Sequence, residues 1–154
     1  HAMDSFAQMR LAEGQKMKED VASRAHDILK IVEKVEQRSP ETVEAYRRRL
    51  QARLQEVLQD QTVDEQRIVT EAAIFADKVA VDEETVRLRS HLSQFCAMLE
   101  SDGPVGRKLD FLVQEMNREA NTIGSKCTDT QIAYLVVDIK AEIEKIREQI
   151  QNIE

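Results

Sequence analysis

Residues 131–154 read QIAYLVVDIKAEIEKIREQIQNIE, and in this stretch Ile132, Val136, Ile139, Ile143, Ile146, Ile150 and Ile153 recur at alternating spacings of four and three. At 3.6 residues per turn these side chains return to one side of a helix, the narrow seam of a coiled coil. A helix with a single apolar stripe gains most of its stability from whatever covers that stripe, so this one needs a partner. Thr128 with Gln131 three residues on reads as a capping box at its start.

Working outward, the segment Ser5 to Arg38 has no proline and one glycine, and Met17, Val21, Ile28, Val32 and Val35 fall on one stripe. It predicts a long first helix and the antiparallel partner of the last. Ser39-Pro40 reads as an N-cap followed by proline at the first helical position, predicting a break and a second helix that turns back with Val43, Tyr46, Leu50, Leu54 and Leu58. Thr62 and Glu65 form another capping box, opening an unusually apolar third helix to about Val79. Asp82 then caps a fourth helix through Glu100, and Ser101-Asp102-Gly103-Pro104 breaks it. A fifth runs from about Val105 to Ile123, before Gly124. The expected fold is all-α: an elongated helical bundle with long antiparallel coiled-coil-like helices and a shorter helical bundle at one end.

Composition agrees. Four Gly and two Pro in 154 residues are too few for the hairpins of a sandwich or barrel, while 42% hydrophobic positions suffice for one modest core. A net charge of -7 excludes coating of nucleic acid or anionic membrane by bulk attraction, so any phosphate-binding surface must be local. Cys96 and Cys127 lack CxxC spacing and read as small apolar fillers in a reducing cytoplasm. No apolar run approaches the ~20 residues that span a bilayer. His1-Ala2-Met3 reads as the remnant of a cleaved purification tag, leaving residues 4–154 as one helical domain. There is no Gly-rich phosphate loop, HExxH or GxSxG, no helix-turn-helix spacing and no RNA-recognition sheet motif.

Chemistry therefore has to come from side chains on helices. Glu71 projects between Ile74 and Phe75, where burial would make it an acid/base group or metal ligand, or else the ion-pair partner of an Arg or Lys on a neighbouring helix. On the fifth helix, Leu109, Leu112, Val113, Met116, Ala120 and Ile123 form the apolar stripe and leave two polar sectors. One carries Asp110, Gln114, Asn117 and Asn121, a row of hydrogen-bonding groups with little net charge. The other gathers Lys108, Glu115, Glu119 and Lys126, with Arg118 beside them. Glu115 and Glu119 at i, i+4 can share one divalent cation, although such pairs also occur on solvated faces. His91, in the basic stretch Arg87-Leu88-Arg89-Ser90-His91, offers an imidazole suited to phosphodiester chemistry. His26, among charged neighbours, reads as a surface residue. Arg47-Arg48-Arg49 with Arg53 is a basic patch, either a nucleic-acid contact or a solvated face.

Residues 103–112 (GPVGRKLDFL), 114–126 (QEMNREANTIGSK) and 142–154 (EIEKIREQIQNIE) resemble the C-terminal region of the bacterial YicC/YloC endoribonuclease family. So do Asp64-Glu65-Gln66-Arg67, Glu71, Asp77 and Arg89-Ser90-His91. The resemblance implies a cytoplasmic endoribonuclease of RNA turnover, assisted by Mg²⁺ or Mn²⁺ and assembled as a homo-oligomer, expected to be a hexamer. The family's N-terminal domain is not in this chain. Combined with the residue reading, it suggests Glu71, Glu115 and Glu119 as metal-binding or acid/base carboxylates and His91 as proton donor or phosphate contact. Arg107, Lys108, Arg118 and Lys126 would meet RNA phosphates, and Gln114, Asn117 and Asn121 would read 2′-hydroxyls or bases. The competing expectation is an assembly or protein-binding module without activity of its own, which would account for the apolar stripe of the fifth helix but not for its two polar sectors.

Overall fold

The isoleucine seam is buried: Ile132, Val136, Ile139, Ile143, Ile146 and Ile150 all lie in the core. The computed structural model describes residues 2–59, 62, 64–101 and 105–153, with the side chain of Ile153 outside that description. Five helices follow in order: α1 (Ala2–Leu58), α2 (Glu65–Val79), α3 (Asp82–Glu100), α4 (Gly106–Lys126) and α5 (Thr130–Ile153), and no strand occurs among the described residues. α5 packs on α1 and α4, as its stripe requires.

Polar contacts fix the direction of the α1–α5 pair. Arg38 on α1 grips Asp129 just before α5 with two hydrogen bonds of 3.1 Å, Arg24 reaches Glu142 at 3.2 Å, and Gln149 donates to Asp20 at 2.7 Å. Falling numbers on one helix meet rising numbers on the other, so the pair is antiparallel. The core joins Val21, Ala25, Ile28, Val32 and Val35 of α1 to the seam of α5 and to the inner faces of α3 and α4.

The expected break at Ser39-Pro40 does not occur. α1 runs unbroken through Pro40 for 57 residues, ~85 Å at 1.5 Å per residue. Proline removes the N–H that would bond the Glu36 carbonyl, a local defect costing ~3 kcal/mol in a helix interior. Contacts on both sides nevertheless hold the helical path: Val35 and Thr42 are buried, Arg38 is bound to Asp129, and Glu36 accepts from Arg89 of α3 at 2.7 Å. Thr42 Oγ1 also donates to the Ser39 carbonyl at 2.6 Å. The helix that turns back is therefore α2, which packs on the C-terminal half of α1 through Ile68 and Ala72 and through a Phe75–Tyr46 ring stack with centroids 3.9 Å apart.

Three helix starts also differ from expectation. Asp64, not Thr62, caps α2, accepting from the N–H groups of Gln66 and Arg67. Asp129, not Thr128, serves α5, accepting from the Ile132 N–H. Asp82 stands inside the first turn of α3 without a side-chain cap bond from the preceding Val81. In the first two cases an aspartate one or two residues nearer the helix reaches the free N–H groups better than the threonine does. α4 continues through Gly124 to Lys126. Gly124 serves close packing instead, since a Cβ there would lie 3.2 Å from Val136 Cγ1 of α5.

Candidate functional site

α3 and α4 lie side by side in opposite directions, and their interface carries a polar seam at the edge of the core. Glu84, Arg87 and His91 stand at i, i+3 and i+7 on α3, one face of a helix, opposite Lys126, Glu119 and Glu115 of α4. Glu84 is buried and accepts from Lys126 Nζ at 2.6 Å, with Arg87 at 3.7 Å. Lys126 also donates to the Ala80 carbonyl at 3.2 Å. Arg87 Nε donates to the buried Glu119 at 2.9 Å, and its outer edge is 3.6 Å from Glu83.

The electrostatics follow from these pairs. Burial alone would push the Glu84 carboxyl up. The hydrogen bond from Lys126, the backbone N–H and the charges of Lys126 and Arg87 outweigh it, so the group sits below its ordinary range. Arg87 is held above its ordinary value, first by its bond to Glu119. Glu84 is thereby kept charged, and both buried carboxylates are fixed in place by their hydrogen bonds.

At one end of this seam His91, Glu115 and Glu119 converge, each offering one donor atom within 4.8 Å of the other two. Two donors come from the i, i+4 pair on α4, and the third comes across the interface. His91 Nδ1 is buried without a hydrogen-bond partner, and so is Glu84 Oε2. Buried polar atoms in folded proteins are nearly always satisfied, so each of these two atoms has capacity to bond a group beyond the protein's own side chains. One nitrogen and two oxygens, one of them from a carboxylate oriented by an outer-shell arginine, is a donor set that suits Mg²⁺ less than Mn²⁺ but excludes neither.

The remaining sequence-predicted residues are dispersed. Glu71 is not brought to this cluster: it lies on α2, half-buried, and its ion-pair partner among the described residues is Arg67, 3.5 Å away one turn earlier on the same helix, not a cation of a neighbouring helix. Its helix is apolar around most of its circumference, but only one face is covered, and Val69 and Ile74 remain exposed. Lys126 points inward to Glu84 instead of outward to a phosphate. Arg118 sits with the amide row: Gln114, Asn117, Arg118, Asn121, Thr122 and Ser125 line one shallow surface depression. Arg107 and Lys108 are exposed near the start of α4. Of the arginine patch on α1, Arg47 and Arg48 are both engaged by Glu44. Burial pushes the thiols of Cys96 and Cys127 up, consistent with fillers. Two residues of the seam, Glu84 and Arg87, are not among the candidates read from sequence. Their spacing with His91 was the available signal.

No helix of the described residues is long and apolar enough to cross a membrane. Residues 35–154 match the family described as "Endoribonuclease YicC-like, C-terminal". A Clostridioides difficile (strain 630) protein named "Probable endoribonuclease YicC" is 49% identical over 154 residues, covering 99% of this chain and 53% of the relative. A Haemophilus influenzae (strain Rd) protein of the same name is 37% identical over 152 residues, covering 99% of this chain and 52% of the relative. The chain thus spans about half the length of the curated relatives it matches. With the all-α fold and the matched residues together, the chain belongs to the YicC-like endoribonuclease family and carries its C-terminal domain.

Proposed function

We propose that this chain is the helical part of an endoribonuclease that cleaves RNA phosphodiester bonds with the help of a divalent cation, Mg²⁺ or Mn²⁺, and that works in the cytoplasm as a homo-oligomer, a hexamer in the full-length form. The observation that carries the reading is the convergence of His91, Glu115 and Glu119, one donor atom of each within 4.8 Å of the other two, with the imidazole holding a buried nitrogen that has no hydrogen-bond partner. The names of the relatives supply the substrate. Glu115, Glu119 and His91 would hold the ion, and Arg87 orients Glu119 by its 2.9 Å hydrogen bond. When bound, such an ion polarises a phosphate oxygen and lowers the pKa of a coordinated water. The exposed guanidinium and ammonium groups of Arg107, Lys108 and Arg118 supply phosphate contacts, and the amides of Gln114, Asn117 and Asn121 supply donors and acceptors for 2′-hydroxyls.

The test substitutes Glu115→Gln and Glu119→Gln, singly and together, in this chain and in a full-length relative. Glu115 is the cleaner site because it has no ion-pair partner among the described residues, whereas Glu119→Gln also weakens the bond to Arg87. RNA cleavage with Mn²⁺ or Mg²⁺ should fall by about 100-fold or more for Glu115→Gln, with thermal stability and RNA binding retained. Wild-type cleavage by the double variant, or undiminished cleavage in chelator, would overturn the reading.

A further inference from the structure

One side chain on the path to this cluster was not among the RNA contacts read from sequence. Phe111 is 60% exposed on α4, in a chain with only four Phe, two Tyr and no Trp. It borders a groove between α3 and α4 whose other walls are Gln94, Met98, Leu112, Arg107 and Lys108. Single exposed apolar residues are ordinary. Here, however, the ring stands beside two adjacent cations that have no ion-pair partner among the described residues, on a molecule of net charge -7. Arg107, Phe111, Glu115 and Glu119 stand at i, i+4, i+8 and i+12 on α4, each step rising ~6 Å and turning ~40° about the axis. Cation, aromatic face and carboxylate pair therefore follow one another along a row that winds from the exposed face, at Arg107 and Phe111, to the buried edge, at Glu119.

We infer that Phe111 is a base-stacking platform for unpaired RNA. One base lies against its ring while Arg107 and Lys108 hold phosphates of the same segment, leading the strand toward Glu115 and Glu119. Every base has a π-face, so such a platform is tolerant of sequence. It is selective for strand state, because bases inside a duplex already have both faces covered. The substrate class is thus single-stranded RNA. This rests on the reading of His91, Glu115 and Glu119 as the cleavage centre.

The absence of tryptophan makes the test direct, since Phe111→Trp introduces the only indole in the chain. In chelator, so that the strand stays intact, a short oligouridylate and the same strand paired with oligoadenylate are titrated into wild type, Phe111→Trp and Phe111→Ala. The single strand should quench the indole and the duplex should not, while Phe111→Ala should bind the single strand about tenfold more weakly. With Mn²⁺ in the full-length form, Phe111→Ala should raise KM, whereas Glu115→Gln lowers kcat. Unchanged single-strand affinity in Phe111→Ala, or an unquenched indole on RNA that is demonstrably bound, overturns the platform and leaves the cleavage centre standing. So does a change in molecular mass of Phe111→Ala without a change in RNA affinity, which would assign the ring to a contact between copies. Failure of the wild-type protein to bind either RNA overturns the platform and the cleavage reading together.

Discussion

Lys126 shows how much of the seam depends on a single side chain. Its ammonium satisfies Glu84 and the Ala80 carbonyl at once, while about a third of the side chain stays in contact with solvent. Lys126→Met keeps the stem and removes the charge, leaving Glu84 buried with only Arg87 at 3.7 Å. We expect a loss of about 1–3 kcal/mol at neutral pH, below the range for fully buried pairs because solvent screens the lysine. Glu84 has its folded pKa depressed. Its contribution is therefore complete above the unfolded value of ~4.3 and is lost as pH falls through the folded value. Wild type and Lys126→Met should converge in stability on acidification below about pH 4, read by urea denaturation at several pH values. Parallel curves that stay separated would show that Glu84 is not the group involved. None of this was visible along the chain, because the partners lie 42 residues apart. Glu115 and Glu119, a neighbouring pair on one helix, were legible from spacing alone.

Among the helices, α5 was the most legible and α1 the least. A seam such as Ile132 to Ile150 has one physical solution, burial against another helix, and the structure adopts it. Ser39-Pro40 satisfies the local rules for a helix start equally well, but the grip of Arg38 on Asp129 and the burial of Val35 and Thr42 override them. Pro40 is exposed in the interior of α1, so Pro40→Ala should stabilise the protein by about 1–3 kcal/mol by restoring the bond to the Glu36 carbonyl and removing the ring. At the first position of a separate helix the same substitution would be nearly neutral. Denaturant unfolding distinguishes the two, and no gain would mean that α1 is interrupted at Pro40.

As a whole the molecule exposes more surface than its mass requires. Its accessible area is 10601 Å², whereas a compact monomer of 17.7 kDa exposes about 7,900 Å². Part of the excess is apolar: Met3, Phe6, Met9 and Leu11 on the first turns of α1, and Val69 and Ile74 on α2. We expect the chain to self-associate, with light scattering giving a multiple of 17.7 kDa well above micromolar concentration. A strictly monomeric mass there would remove self-association through this domain. The unbroken α1 has a mechanical consequence. Its bonds to the α5 side at Asp20, Arg24 and Arg38 clamp the middle of the rod to the core, with ~30 Å projecting beyond Arg38 on the α2 side and ~27 Å before Asp20 on the other. A rotation of about 5° of the core together with this clamped segment sweeps the two tips by ~4 Å each in opposite directions. A hinge at Pro40 would have absorbed such a rotation; a continuous helix transmits it from end to end.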